Sequence, residues 1–471
     1  MPMTFNSLQY AAFLPTVLVL YWSLPRRFRM PLLLVASYVF YGAWDYRFLT
    51  LIWISTAADY WIGLTLGRST GEGRRRALLV ASLSVNLGIL ASFKYFGFFV
   101  DSAAALLDKV GLQPNLPVIE VLLPVGISFY TFQTLSYTFD IYRRRMEPCR
   151  DPVAFATFVA YFPQLVAGPI ERARRLLPAL QADRSPPNLE QIQSALTLII
   201  FGLFKKVVLA DQMAPFVEEI FAAPSEAAGI EIVAALFAFS IQVYGDFSGY
   251  TDIARGTSRL LSIDLMVNFQ QPHLSRSITE FWRRWHISLS SWLRDYLYIP
   301  LGGSRGSRLA TSRNLVLTMT LAGLWHGAGW TYVLWGASQG LLLVGHRLVG
   351  GKDRTEEELS IRDSWRVAGT FALISLGWLL FRAPSLSHTV EMAQGLASWS
   401  GEPRSVFPIA QVGVWLAAMF GLDLVHRKLG DRAHRFVVYR PVLAGACVGV
   451  GLTLVLLYSG AAAVPFIYFQ F

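Results

Sequence analysis

Leu315-Val316-Leu317-Thr318-Met319-Thr320-Leu321-Ala322-Gly323-Leu324-Trp325-His326-Gly327-Ala328-Gly329-Trp330 is an uncharged run that closes on a histidine set among tryptophans and glycines. The apolar part, Leu315 to Leu324, reads as the body of a membrane span, since a hydrocarbon core about 30 Å thick is crossed by about 20 mostly apolar helical residues. A charged side chain at that depth costs about 2.5–3.5 kcal/mol on insertion scales, so a titratable residue there marks a functional candidate. Histidine escapes most of that cost by staying neutral, and a neutral imidazole is a ready proton acceptor. Gly323, Gly327 and Gly329 allow close approach, and Trp325 and Trp330 can wall a cavity. The plainer alternative is a histidine satisfied by a backbone carbonyl within a helix bundle.

Composition supports the membrane reading. Of 471 residues, 54% are hydrophobic and 15% charged, against roughly a quarter charged in soluble domains. The expected fold is an all-α polytopic membrane protein in a lipid bilayer, a single domain over 1–471. The net charge of +10 does not imply a nucleic-acid partner. Its arginines and lysines cluster between apolar runs: Arg26, Arg27 and Arg29; Arg74 to Arg76; Arg143 to Arg145; Arg172, Arg174 and Arg175; Arg427, Lys428, Arg432 and Arg435. Such clusters mark cytoplasmic loops and place both termini outside. The first apolar segment precedes its charges, so it reads as a retained span rather than a cleaved leader. Cys149 and Cys447 suggest neither a disulfide nor a thiolate metal site, and no cofactor or metal is expected.

Apolar runs predict spans near 7–23, 30–45, 48–66, 77–95, 118–141, 190–204, 207–222, 229–245, 247–263, 312–328, 330–346, 365–382, 408–425 and 440–459. Val153 to Pro169, broken by Pro163, Gly168 and Pro169, reads as a re-entrant or interfacial element. Ser275 to Gly303 mixes tryptophans and tyrosines with Arg276, Arg283, Arg284 and Arg294, and reads as an amphipathic or re-entrant helix ended by Pro300 and Gly302-Gly303. Leu112–Pro117 and Ala383–Pro408 are the main outer segments, both short.

A second histidine, His286, stands in Trp282-Arg283-Arg284-Trp285-His286-Ile287-Ser288. It reads either as solvated at the interface or, between arginines, as a ligand for phosphate groups of a nucleotide-like molecule. Tyr244-Gly245-Asp246-Phe247-Ser248-Gly249-Tyr250-Thr251-Asp252 joins two apolar runs. Asp246 or Ser248 would cap a helix start there, or Asp246 or Asp252 would orient a histidine or pair with a chamber arginine. Gly336-Ala337-Ser338-Gln339-Gly340 matches a nucleophile pattern, yet it lies in a helical run and also spells a close-packing motif. His273, His346, His388, His426 and His434 carry no functional signal.

Trp282 to Tyr298 and Leu324-Trp325-His326-Gly327 resemble the membrane-bound O-acyltransferase family, in the bacterial branch that holds alginate O-acetylation and teichoic-acid D-alanylation proteins. Supporting segments are Leu123-Pro124-Val125-Gly126-Ile127-Ser128-Phe129-Tyr130, Val166-Ala167-Gly168-Pro169 and Asp246-Phe247-Ser248-Gly249-Tyr250. The likeness runs from about residue 5 to 382. It implies a ring of tilted helices around a thinned centre, with catalytic His326 and His286. Trp285, Arg283, Arg284, Trp325, Asp246, Ser248 and Asp252 would then serve substrate or donor binding. It further implies O-acetyl or other short-acyl transfer from an acyl thioester such as acetyl-CoA. The acceptor would be an extracytoplasmic polysaccharide, reached through a partner acyltransferase, from a bacterial inner membrane. A polysaccharide or small-molecule transporter with a histidine-lined path is the rival reading.

Overall fold

The structure is a computed structural model describing residues 3–112, 123–166, 168–351, 359–399, 401–429, 441–459 and 466–467. The described residues are helical with no strand among them, and they form two compact units. Six segments are long and apolar enough to cross a membrane: Arg26–Arg68, Glu72–Lys109, Leu189–Ala222, Gly229–Leu260, Ile361–Arg382 and Val406–Lys428. The protein is an all-α polytopic membrane protein.

The first unit comprises Met1–Ala195 and Ala254–Met266. Its helices are stitched by buried polar groups, as helices need where the surroundings offer no water. Asp59, fully buried, accepts from Ser82 Oγ, from Asn86 Nδ2 at 2.7 Å and from Thr138 Oγ1 at 3.0 Å. It thereby joins Leu49–Arg68, Glu72–Leu90 and Ile127–Tyr142. Arg75, assigned above to an inner loop, is itself buried. Its guanidinium donates to the carbonyls of Leu66 and Tyr142, both at 2.7 Å, and satisfies two helix C-termini. Residues 254–266 are held by Tyr10–Thr257 (2.7 Å) and Tyr161–Ser258 (2.9 Å) hydroxyl pairs. The 153–169 region forms two short helices, Pro152–Ala160 and Phe162–Leu165, broken at buried Tyr161; Ala167 lies outside the described residues.

The second unit comprises Leu196–Ile253 and Val267–Phe471. Two predicted breaks are absent. Gly229–Leu260 is one helix of 32 residues, about 48 Å at 1.5 Å per residue, where spans 229–245 and 247–263 were expected. Likewise 190–204 and 207–222 form one run, carried through a π-turn at Phe204–Ala210. The reason is close packing. A Cβ on Gly249 would stand 2.7 Å from the Gly202 carbonyl oxygen, and one on Gly245 would stand 2.8 Å from that of Lys205. Glycines that look like turn residues are contact points between helices.

Arg308–His326 and Trp330–Leu348 form a tight hairpin of two 19-residue helices. Neither is among the six segments above; Thr311, Asn314 and Thr318 give the first a buried polar face. A Cβ on Gly336 would lie 2.2 Å from the Met319 carbonyl oxygen, and one on Gly323 2.1 Å from that of Tyr332. Gly336-Ala337-Ser338-Gln339-Gly340 is therefore a packing motif, and Ser338 Oγ donates to the Trp335 carbonyl at 2.7 Å. Within residues 383–408, expected to lie outside, Leu386–Ser398 is a helix anchored by buried Met392. Of Leu112–Pro117, only Leu112 is described; Arg432, Arg435 and His434 lie outside the described residues.

Candidate active site

The 275–303 stretch is not one amphipathic helix. It holds two seven-residue helices, Ile278–Arg284 and Ile287–Leu293, a π-turn at Arg294–Tyr298 and a glycine turn with φ of +107° at Gly302 and +56° at Gly303. The break between the two helices falls at His286, whose backbone is left-handed (φ +42°, ψ +55°). That conformation costs a non-glycine residue about 1–2 kcal/mol, and such outliers cluster where a site depends on them.

Asn268 holds the break. Its carbonyl accepts from Ile287 N at 2.9 Å, and its Oδ1 accepts from Ser288 N (3.1 Å) and Ser288 Oγ (2.9 Å). His286 Nδ1 lies 3.2 Å from the same oxygen. The imidazole is 1% exposed, so the solvated alternative fails. Burial pushes its pKa down to about 3, and the ring is neutral.

The turn brings the two histidines together. His326 ends its helix at 3% exposure, and its ring centre is 6.4 Å from that of His286. Trp325 touches both, at 5.1 Å from His326 and 5.8 Å from His286. Trp335 and Phe381 meet His326 edge-on at 5.2 and 5.4 Å, and Phe247 meets His286 at 4.7 Å. Trp378 stacks on Trp335 at 6.0 Å and is fixed by a 2.9 Å bond from Nε1 to Ser240 Oγ.

The other predicted residues fall elsewhere. Arg284 is buried and committed: its Nε bonds Glu280 Oε1 at 3.1 Å and its NH1 the Gln270 carbonyl at 3.1 Å. It closes a cluster with Arg276, whose Nε lies 3.1 Å from Glu280. Arg283 is exposed. Trp285, 2% exposed, stacks on Phe281 at 5.4 Å and packs on Phe269 and Trp378; it is core.

Asp246 and Ser248 sit mid-helix, so neither caps a start. Asp246 pairs with Lys206 at 2.8 Å and accepts from Ile467 N at 2.6 Å; Asp252 pairs with Lys205. Both carboxylates answer lysines of the Phe204–Ala210 turn. Asp246 and Asp252 nonetheless bracket Phe247, which reaches His286.

Sequence reasoning missed Asn268, Phe247, Trp335, Trp378 and Phe381. It also passed over His273, a buried ring 4.8 Å from Tyr244 and 6.0 Å from Trp285. Among the described residues no group of His, Cys, Asp and Glu could hold a metal ion.

A helical membrane protein with two buried histidines among packed aromatic rings is equipped to move protons at a reaction centre sheltered from water. The membrane-bound O-acyltransferase family model matches residues 119–352. The chain is 40% identical to the probable alginate O-acetylase of Pseudomonas putida and 38% to that of Azotobacter vinelandii, each alignment covering 98% of both chains. It is 34% identical to the peptidoglycan O-acetyltransferase of Helicobacter pylori, over 83% of this chain and 79% of that one. The chain belongs to the membrane-bound O-acyltransferase family. It is an O-acyltransferase, which sets aside the transporter reading.

Proposed function

We propose that the protein transfers acetyl groups from a cytoplasmic acyl thioester such as acetyl-CoA toward an extracytoplasmic polysaccharide, from the inner membrane of a bacterium. The observation that carries the reading is the pair of buried imidazoles, ring centres 6.4 Å apart, set among aromatic rings. In this reading His326 takes the proton of the acceptor hydroxyl as that oxygen attacks the thioester carbonyl. The carbon–sulfur bond then breaks, and the imidazolium returns the proton to the departing thiolate. General-base help of this kind contributes about 10²–10⁴-fold. His286 holds the donor side of the chamber, and the exposed guanidinium of Arg283 meets donor phosphates.

A long glycan needs a binding surface, and the helix Leu386–Ser398 leaves little outer chain from which to build one. A separate extracytoplasmic acyltransferase would therefore receive the acyl group and pass it on. The relatives named for alginate and peptidoglycan O-acetylation support a glycan as final acceptor. The test supplies labelled acetyl-CoA and polymer to purified protein. Ester-linked label on the polymer should be scarce with this chain alone and abundant once the partner is added. Efficient acetylation without a partner would overturn the relay; no transfer under either condition would overturn the acetyl donor.

A further inference from the structure

We propose that Asn268 is a positioning residue that decides which nitrogen of His286 carries the proton, leaving Nε2 as the accepting nitrogen. The inference deepens the acyl-transfer reading and rests on it for its functional meaning, although the proton's position is a property of the protein alone.

One atom beside the ring can only donate. Ser288 N–H points at the Asn268 side chain over 3.1 Å. An amide nitrogen cannot accept a hydrogen bond, so the atom facing Ser288 N is the oxygen. This removes the usual ambiguity between the two ends of an asparagine amide. The hydroxyl of Ser288 spends its hydrogen on the same oxygen at 2.9 Å.

His286 Nδ1 then faces two acceptors: Asn268 Oδ1 at 3.2 Å and the oxygen of Ser288 Oγ at 3.4 Å. Nδ1 answers both only as N–H. A neutral imidazole carries one hydrogen, so its lone pair is on Nε2. Asn268 is fully buried and its backbone also grips Ile287. Ring orientation and tautomer are thus set by one residue, 18 positions before the histidine it serves.

The test uses the full chain in lipid nanodiscs, with histidine labelled by nitrogen-15 in the ring. The His286 resonances are identified by their loss in His286→Gln. Wild type should show a protonated Nδ1 and an unprotonated Nε2. Asn268→Leu, which removes the acceptor oxygen, should shift His286 toward the other tautomer. It should also lower kcat/KM for the donor by about 10- to 100-fold, as loss of a group that orients a functional imidazole does elsewhere. Asn268→Asp, which keeps an acceptor facing Ser288, should restore the wild-type tautomer and most of kcat/KM. An unprotonated Nδ1 in wild type overturns the proposal without any variant having to fold. So does an Asn268→Leu protein with an unchanged His286 spectrum. Because the spectra need no substrate, a failed transfer assay and a failed tautomer assignment are told apart.

Discussion

At the scale of the residue, His286 carries two demands that conflict, a side chain packed beside His326 and a backbone that only glycine adopts freely. His286→Gly and His286→Ala lose the same imidazole, but only glycine is relieved of the left-handed φ of +42°. The glycine variant should be the more stable by about 1 kcal/mol, read from thermal unfolding in detergent. An alanine variant that melts at or above the glycine one would remove strain from the account.

Arg284 makes a second case. Its neighbour Glu280 is 1% exposed and answers both Arg284 and Arg276. Arg284→Ala should therefore lower stability by about 1–3 kcal/mol through a half-satisfied buried carboxylate and leave the donor KM of the folded protein unchanged. A raised donor KM at unchanged stability would return Arg284 to the donor site.

At the scale of the element, the hairpin of Arg308–His326 and Trp330–Leu348 places His326 by letting two backbones touch. Gly336→Ala would put a Cβ 2.2 Å from the Met319 carbonyl oxygen. Nothing there can yield except backbone, and the cost should be at the upper end of the roughly 1–3 kcal/mol typical of overpacking. Gly345→Ala, on the same helix with nothing within 4 Å of its added carbon, should be neutral or slightly stabilising, since alanine is the better helix former by about 1 kcal/mol. Equal melting of the two variants would mean the glycines do not set the helix spacing.

These elements also show what a sequence can tell. The packing motif at Gly336–Gly340 and the histidine at the helix end were legible because each signal is local. Asp246 was misread because Gly245-Asp246-Phe247-Ser248-Gly249 has the local chemistry of a helix start. The lysines that answer Asp246 and Asp252, Lys206 and Lys205, lie far earlier in the chain on a π-turn that no periodicity announces. Asn268, Trp335, Trp378 and Phe381 were invisible for a similar reason. In a chain that is 14% aromatic, another tryptophan is no signal until the fold places it beside a histidine.

At the scale of the whole molecule, arginine clusters set the sidedness expected for the chain, and Arg75 shows that not every member of a cluster is a loop charge. Arg74 and Arg76 remain exposed in the first turn of the helix Glu72–Leu90, and by the charge rule they would hold that helix end inside. Single cysteines placed at Thr70 and at Ser387, both exposed, should therefore behave oppositely toward an impermeant thiol reagent in intact cells, the first protected and the second labelled. Labelling at Thr70 would invert the topology, and with it the side from which the donor reaches the chamber.

His326 is the residue on which the proposed chemistry depends most. Purified wild-type protein and His326→Ala should be compared for transfer from labelled acetyl-CoA, beside their melting curves. The alanine variant should melt within a few degrees of wild type and lose at least about 10²-fold in rate, the lower bound for a general base. A folded His326→Ala protein that keeps more than about a tenth of the wild-type rate would contradict the assignment of the reaction to this histidine.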